Sequence, residues 1–426
     1  MRNRSFVLLG AAAGVILALA VTDSQLVFTG ADARPAPATK KYQLLELFVG
    51  AFERVRASYV EKPDDTKLMH SAINGMLSGL ENSSFMDADA LRQSVCTGSG
   101  CAPYGGAGVN ITIADGLAQV VSPLDDSPAA KAGVMARDII EEINDEPIQN
   151  MSSYEVYNKL KEERGEQIRL KIMRTGKDKP IDIAFTRDSV SMRAVRARAD
   201  GGDVAYIRIS QFQEDTADQL EKALTEVAGQ IAPERLKGFV LDLRNNPGGL
   251  PDQGISVADA FLDAGEIVSI RGRKTSANRH FFAKPGDLAD GKPVVVLINA
   301  GSASAAEIVA GALKDNHRAT LVGTRSFGEA SASTVVPIGP RTGPGPGALR
   351  LTTGHYFTPS GRVITGNGVL PDVEALQQNI PDQFRNDSKS KDKDHATLQS
   401  YVPPDPNADS ALTVAYELLR GTKTVH

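Results

Sequence analysis

Two short segments of this chain carry residues that could form a nucleophilic site. The first, Gly301 to Ile308, contains Ser302 and Ser304 among small residues, and the second, Ser326 to Glu329, ends in a glutamate 25 positions after Ser304. A serine hydroxyl attacks a carbonyl only when a neighbouring group accepts its proton. The two segments therefore suggest acyl-transfer chemistry and leave open which group would be the base.

The residues around Ser304 predict the elements that would position it. Val294 to Ile298 is an unbroken apolar run typical of a buried strand, and Ala305 to Lys314 follows as a helix. At such a junction, backbone N–H groups and the helix dipole favour negative charge on a reacting oxygen. Ser304 is also a good helix N-cap residue, and the two roles are compatible.

This junction belongs to a longer alternation of strands and helices, from Val204 to about Val373, which predicts an α/β sheet. Val204 to Ile209 and Gly238 to Leu243 read as strands. The second of them leads into the turn Arg244 to Gly249.

Between Gly105 and Thr186 the pattern changes to short strands separated by turn residues, with a helix predicted over Ser153 to Arg164. The order of the segments resembles a PDZ domain. In such a domain a glycine loop binds a terminal carboxylate through backbone N–H groups, and a sheet edge accepts the peptide as an added strand. The resemblance implies peptide binding by Gly105, Gly106, Ala107, Gly108 and Val109. The alternative is a small β-rich domain that only packs.

Arg137 stands where such domains often have glycine, directly before Asp138. If that position requires a positive φ, Arg137 is strained, because glycine alone adopts such angles freely. The loop that would bind the carboxylate is unaffected.

The N-terminal residues are typical of an export signal. Arg2 and Arg4 precede an apolar run from Phe6 to Val21, and small residues at cleavage spacing occur at Ala18 to Ala20 and Ala31 to Ala33. The run is shorter than the ~20 residues that comfortably span a bilayer, which favours a cleaved signal over an uncleaved inner-membrane anchor. We therefore expect residues 1–33 to direct the protein to the periplasm or otherwise out of the cytoplasm.

The chain has two cysteines, Cys96 and Cys101. In an exported protein, two thiols joined by a short loop of Thr, Gly and Ser favour a local disulfide. A catalytic thiol or a metal pair is the alternative, but no nearby His or third Cys completes either group.

Helices are predicted at both ends of the folded chain. After a linker at residues 34–41, apolar residues recur at the spacing of one buried helix face; they are Leu44, Leu45, Phe48, Phe52, Val55 and Tyr59. A second helix over Lys67 to Leu80 completes a helical cap at residues 42–95. Residues 376–426 contain a charged linker around Asn386 to Asp394 and a last helix, Ser410 to Arg420, which we expect to dock on the body or on a second subunit.

Composition narrows the class of protein. With 426 residues, 41% of them hydrophobic, and a formal net charge of −5, the chain suits two or three globular domains and gives no reason to expect nucleic-acid binding. It has no His-Glu-x-x-His, Walker or dinucleotide-binding motif, so we expect no metal and no cofactor.

The order of all these motifs resembles the carboxy-terminal processing proteases. The resemblance covers most of residues 42–373 and includes Arg244 to Gly249, Gly301 to Ala305, Val322 to Gly328 and His355 to Arg362. It implies an α/β multidomain fold with a helical N-terminal cap, an inserted β-rich PDZ domain at 96–187 and a crotonase-like serine-protease core at 188–375. It also implies a serine endopeptidase that captures the C-terminal tails of exported proteins.

The resemblance further assigns the nucleophile and the oxyanion hole. The motif matches Ser304 as the nucleophile, with Ser302 as the neighbouring alternative. The oxyanion hole would be formed by the backbone of Ala305 and of Gly248 or Gly249.

The base is where this chain departs from the family. The position of the family's lysine base holds Glu329, and that of its glutamine holds Ser333. A neutral lysine takes the serine proton, whereas a glutamate with its reference pKa of ~4.3 is a feeble base toward a serine. A buried Glu329 with a raised pKa could still pair with Ser304.

No other side chain is a clear replacement for the lysine base. Arg325 stays protonated at ordinary pH, and Lys314 is predicted three helical turns from Ser304. His317 and His355 qualify only if folding brings them close to Ser304.

Two hypotheses follow. The chain is an endopeptidase that uses an unusual base, or it is an inactive pseudoprotease that binds tails or regulates a partner. The expected partners are protein or peptide C-terminal tails, together with a second copy of the chain or an active homologue, and not nucleic acid.

Overall fold

The computed structural model describes residues 40–424, except 89, 92–104, 115, 150, 152, 162–164, 190–193, 340–346, 382–383 and 385–398. It divides into two compact units, Met1–Met69 and His70–His426. Among the described residues, none of the helices is both long enough and apolar enough to cross a bilayer. The export segment, the cysteine pair and most of the charged linker lie outside the described residues, and those predictions stay untested.

In the first unit, helix α1 spans Lys40–Ser58. Helix α2 spans Asp65–Leu77, so it begins in the first unit and ends in the second. Both predicted helices are present, and the second spans Asp65–Leu77 where Lys67 to Leu80 was predicted. The expected burial of one α1 face is wrong, however, because Leu44, Leu45, Phe48 and Val55 are all exposed and Phe52 is only partly buried. Helical spacing specifies an apolar stripe but not what covers it.

In the second unit, strand β1 (Ser84–Asp87) precedes the predicted PDZ segment. The strands of that segment are β2 (Gly105–Gly106), β3 (Val109–Ala114), β4 (Leu117–Pro123), β5 (Ile139–Ile143), β6 (Glu146–Pro147), β7 (Gln167–Met173), β8 (Ile181–Thr186) and β9 (Asp188–Ser189). Its helices are α3 (Pro128–Ala132) and α4 (Ser153–Lys161). The main sheet has the order β3-β4-β5-β7-β8, so β3 is an edge strand. Alternating buried residues on β4, β5 and β7 pack with α4 into a separate core.

The remaining elements form the predicted α/β core. The strands are β10 (Val195–Asp200), β11 (Val204–Ile209), β12 (Gly238–Asp242), β13 (Glu266–Gly272), β14 (Arg279–Phe282), β15 (Val294–Ile298), β16 (Ala319–Gly323), β17 (Ser331–Ile338), β18 (Gly347–Phe357) and β19 (Val373–Glu374). The helices are α5 (Thr216–Ala228), α6 (Pro251–Asp259), α7 (Ala305–Asp315) and α8 (Ser410–Leu419). One sheet has the order β10-β11-β12-β15-β16-β19, and a second has the order β1-β18-β13-β14 with β17 beside β18.

The centre of the first core sheet is built for burial on both faces. Strands β12 and β15 are buried at every position and run parallel to each other, with Asp242 opposite Leu297. Unbroken apolar runs are what a parallel strand covered by helices requires. Because the two strands are parallel neighbours, the turns at their carboxyl ends meet at one edge of the sheet.

The last helix, α8, docks on the core of the same chain, which is one of the two outcomes expected from the sequence. Leu412 and Leu419 of α8 are buried against the sheet together with Val240 and Val295. The N-cap residue Asp409 anchors the helix start.

Candidate active site

The two turns that carry the predicted site are joined by a pair of asparagines. Asn299 Oδ1 accepts the Asn245 N–H at 2.8 Å, and Asn299 Nδ2 donates to Asn245 Oδ1 at 3.0 Å. Ala303 N–H adds a hydrogen bond to the carbonyl of Asn246 at 2.9 Å. The glycine-containing turn after β12 is therefore fixed against the serine turn after β15.

A buried ion-pair network secures the base of the first turn. Arg244 pairs with Asp242 and with Asp409, and all three side chains are at most 5% exposed. Burial opposes ionisation of Asp242, but the adjacent Arg244 outweighs it and lowers the pKa of Asp242 to about 2. The start of α8 thus supports the turn that leads to Gly248 and Gly249.

Ser304 is the N-cap residue of α7 and has an uncommon backbone conformation, with φ 53° and ψ −114°. Non-glycine residues held in sparsely populated regions cluster at functional sites, because the surrounding structure must stabilise the strain. Gly248 packs directly against this residue: a Cβ added to Gly248 would lie 2.5 Å from the Ser304 Cβ. Only glycine fits there.

Ser302, the alternative nucleophile, has a structural role. It is fully buried, its hydroxyl accepts the Asn299 N–H at 2.9 Å, and it donates to the Leu243 carbonyl at 2.8 Å. Its oxygen is therefore occupied in holding the turn, whereas Ser304 borders a cavity.

The three predicted oxyanion donors differ in availability. Gly248 N–H donates to Asn246 Oδ1 at 2.8 Å. Among the described residues, the N–H groups of Gly249 and Ala305 have no hydrogen-bond acceptor. Those two amides are the ones that remain free to stabilise an oxyanion.

Position 329 is held at the nucleophile through the backbone. Ser304 N–H donates to the Glu329 carbonyl at 2.8 Å. Ser304 and Glu329 also border one cavity of about 130 Å³, whose wall includes Ile111 and Ile113 of β3 and Arg350 of β18. Glu329, the residue predicted to occupy the base position, therefore lies beside the predicted nucleophile.

The Glu329 side chain is partly buried beside Thr112, Asn82 and Arg350. Burial raises its pKa to about 7, while the neighbouring Thr112 and Asn82 side chains and the charge of Arg350 oppose the rise. Thr112 in turn donates to Asn82 Oδ1 at 2.5 Å, and Asn82 donates to the Ser331 hydroxyl at 3.0 Å. Glu329 is thus a partly ionised carboxyl near neutral pH, a much stronger base than an exposed glutamate.

Glu307, which is not among the residues predicted for the site, organises the same loop. Its fully buried carboxylate accepts hydrogen bonds from the Ser304 N–H at 3.0 Å, the Gly328 N–H at 2.8 Å and the Glu329 N–H at 3.0 Å. The Ser326 hydroxyl donates a fourth, at 2.5 Å. Burial raises the pKa of Glu307 to about 7 despite these donors. The pattern Ser-x-x-Glu from Ser304 to Glu307 is a capping-box signal that could have indicated it.

Ser333 lies on a different wall from Glu329. It borders a groove of about 890 Å³ that also contains Ser304, Gly249, Arg350 and Tyr356. It does not border the smaller cavity shared by Ser304 and Glu329. The groove is large enough for an extended peptide segment.

The other candidate bases lie elsewhere. Lys314 binds Asp372 at 2.8 Å, and His355 Nδ1 is 3.3 Å from the Thr365 hydroxyl. Neither of them, nor His317, nor Arg325 borders the cavity shared by Ser304 and Glu329. In the described part of the chain, no cluster of three or more His, Cys, Asp or Glu could hold a metal ion.

The predicted peptide-binding loop lies between the edge strand β3 and the end of α4. Gly106, Ala107, Gly108 and Val109 are buried, and Gly105 and Gly106 pair with β9. Ala107 N–H donates to the Leu160 carbonyl at 3.0 Å. Arg137 has φ 71°, so this position does adopt the positive angle that favours glycine.

Comparison with known proteins agrees with this architecture. The model of peptidase family S41 matches residues 203–375, and a PDZ-domain model matches residues 119–174. The carboxy-terminal-processing protease of Bartonella bacilliformis is 46% identical over 398 residues, which is 90% of each chain. The carboxy-terminal processing protease CtpA of Bacillus subtilis is 31% identical over 327 residues, covering 76% of this chain and 67% of the relative.

A solved structure extends the likeness to three dimensions. The photosystem II D1 C-terminal processing protease superposes with a TM-score of 0.63 at 28% identity, covering 77% of this chain and 92% of the other. The predicted fold class, an α/β multidomain protein with a helical N-terminal region, a PDZ domain and a serine-protease core, is confirmed. The exact domain limits stay predictions. The chain belongs to the carboxy-terminal processing proteases of peptidase family S41.

Proposed function

We propose that this protein captures the C-terminal tails of other proteins on its PDZ domain and cleaves them slowly through Ser304, because Glu329 replaces the lysine base. The observation that carries the proposal is that the PDZ strand β3 and Ser304 border one cavity, through Ile111 and Ile113. A tail that pairs with the free edge of β3 is then close to the nucleophile.

The chemistry of the proposed reaction follows from the groups around Ser304. The Ser304 hydroxyl attacks the scissile carbonyl, and the amides of Gly249 and Ala305 stabilise the oxyanion. The ionised form of Glu329 accepts the serine proton and returns it to the leaving amine. Hydrolysis is slow at neutral pH because a carboxylate with a pKa of about 7 is a weaker base than a neutral lysine and is only partly ionised.

The direct test uses purified protein and an unfolded substrate with an apolar C-terminal tail. We expect slow cleavage by the wild type, none by Ser304→Ala and faster cleavage by Glu329→Lys. Tail binding should weaken when the peptide carboxylate is amidated, because the loop N–H groups would lose their charged partner. Cleavage that persists in Ser304→Ala would exclude Ser304 as the nucleophile.

A second candidate is a non-cleaving tail-binding protein that partners an active homologue. It is favoured by Thr112 and Asn82, polar side chains beside the Glu329 carboxyl that would compete with Ser304 for it. Tail binding with no cleavage at any pH, together with activity gained in Glu329→Lys, would support this candidate over the first.

We also propose that the protein acts outside the cytoplasm. The support is the charged and apolar N-terminal sequence, with Arg2, Arg4 and the run from Phe6 to Val21. Fractionation of cells that express the tagged full chain tests the location, and a purely cytoplasmic product would contradict it.

A further inference from the structure

Arg137 joins the PDZ domain to the loop that carries residue 329. Its backbone lies just before β5 at φ 71°, an angle that disfavours residues with a Cβ. Its side chain crosses to the core, where Nη2 donates to the Phe327 carbonyl at 2.6 Å and approaches the Ser326 carbonyl at 3.4 Å. A strained backbone is thus combined with a long-range contact 190 residues away in sequence.

The contact is not a loose surface interaction. The guanidinium lies over the Phe327 ring, 4.7 Å from its centroid, and Arg137 Nε is buried without a hydrogen-bond partner among the described residues. Burial and the nearby Arg325 lower the pKa of Arg137, while Glu307 opposes them. A group that gives up hydration in this way must be compensated by its remaining contacts, which are the carbonyls of Phe327 and Ser326 and the Phe327 ring.

Phe327 leads directly into the reacting centre. Its N–H donates to the Ser302 carbonyl at 2.8 Å, while its carbonyl accepts from Arg137. The next two amides, of Gly328 and Glu329, donate to Glu307. The Glu329 carbonyl then accepts the Ser304 N–H. One side of this short segment is held by the serine turn and α7, and the opposite side is held by Arg137.

Further hydrogen bonds hold the Arg137 backbone and the PDZ domain in place. Arg208 of β11 binds Asp125 of the PDZ domain through two hydrogen bonds, at 2.8 and 3.1 Å. Arg137 N–H is anchored to the Val120 carbonyl of β4 at 2.7 Å. The guanidinium is therefore presented from a sheet that is itself braced against the core.

We propose that Arg137 is a positioning residue: by gripping the Phe327 peptide from the PDZ domain, it sets the place of residue 329 relative to Ser304. The inference relies on the proposed function only in taking Ser304 and position 329 as the reacting centre. This role accounts for an arginine at φ 71°, because glycine would relieve the backbone strain but would remove the contact with Phe327.

The test compares Arg137→Gly with the wild type in the full chain. The variant relieves the backbone strain, so it is expected to fold. We expect the amides of Phe327, Gly328 and Glu329 to exchange hydrogen at least tenfold faster, while the amides of β4, β5 and β7 are unchanged. Labelling of Ser304 by a fluorophosphonate probe should fall at least tenfold, with the affinity for an apolar tail peptide within twofold of the wild type.

Two further variants sharpen the result. Arg137→Lys keeps the charge but loses the planar contact with the ring, and should lie between the wild type and Arg137→Gly in both readouts. Arg169→Ala removes an exposed PDZ arginine and should change neither. Exchange at residues 327–329 that stays within twofold of the wild type, or that rises equally throughout both domains, would overturn the proposal. Hydrogen exchange decides the matter even if the wild type cleaves no tail, so failure of the proposed function is distinguished from failure of this inference.

Discussion

Ser304 N–H donates a hydrogen bond of 2.8 Å to the carbonyl of Glu329. Any side chain at position 329 therefore starts beside the nucleophile, whatever its chemistry. Exchanging this glutamate for a lysine would therefore change the proton acceptor and not its starting position.

Glu329→Lys should increase tail cleavage by about 10²-fold or more, because a positioned general base contributes roughly 10²–10⁴ in rate. Burial that raises the pKa of a glutamate lowers that of a lysine, so the new amine would be partly neutral near pH 7. Initial rates on an unfolded substrate measure the effect, with Glu329→Lys combined with Ser304→Ala as the inactive control. A wild type as fast as Glu329→Lys would contradict it.

Cleavage by the wild type should rise with pH through about 7. The active form of Glu329 is the ionised one, and burial raises its pKa to about 7, so activity is low near pH 5.5 and approaches a plateau near pH 8.5. Because Glu307 titrates in the same range, the control is Glu329→Gln, which keeps Glu307. An unchanged profile in Glu329→Gln would exclude Glu329 as the base.

Stability should fall between about pH 4.5 and pH 7 in part because of Glu307. Its pKa is raised from 4.5 to about 7 on folding, so the folded state holds a proton that the unfolded state has released. The stabilisation is complete below the unfolded pKa and is lost as pH rises through the folded pKa. A shift of this size corresponds to about 3 kcal/mol.

Urea unfolding at pH 5 and pH 8 measures this dependence. In Glu307→Gln the difference between the two pH values should shrink by about that amount, because the amide does not titrate. Glu226→Gln, an exposed substitution on α5, is the control and should leave the difference unchanged. Equal differences in all three proteins would contradict the assignment.

Asp409→Ala should lower the free energy of unfolding by about 3–5 kcal/mol, because it leaves the buried Arg244 short of one partner and removes the cap of α8. Asp405→Ala is a matched control: Asp405 is exposed and caps only a short 3₁₀ turn. Its loss should cost about 1 kcal/mol. Similar urea midpoints for the two variants would show that the buried pair does not support the fold.

Gly106→Ala should weaken tail binding at least tenfold, equivalent to about 1.4 kcal/mol. Gly106 has φ 134°, and an added Cβ would lie 2.7 Å from the Leu160 carbonyl oxygen, so the loop must shift. Gly79→Ala is the control, since no atom lies within 4 Å of its added Cβ. Fluorescence anisotropy with a labelled apolar tail measures the affinity, and equal values for both variants would argue against tail binding at this loop.

Much of the fold could be predicted because it depends on local patterns. The apolar run of β15, the following helix and the serine between them are contiguous, so periodicity and capping chemistry identify them. The positive φ at Gly248 is a backbone requirement that residue type indicates, whereas the positive φ at Arg137 was indicated only by the resemblance to PDZ domains. The exposure of the apolar stripe on α1 could not be predicted, because an apolar stripe does not specify whether a partner covers it.

The environment of the site depends on contacts between distant residues. Ser304 and not Ser302 has the available hydroxyl, because the Ser302 hydroxyl is hydrogen-bonded to the Leu243 carbonyl and the Asn299 N–H. The pKa of Glu329 is raised by burial and is held down in part by Thr112 and Asn82, which lie more than 200 positions earlier in the chain. The sequence by itself determined the family, the strand-turn-helix at Ser304 and the identity of residue 329. Only the tertiary structure decided how that carboxyl is solvated and held, because desolvation and hydrogen bonding depend on what packs around a group and not on its neighbours in sequence.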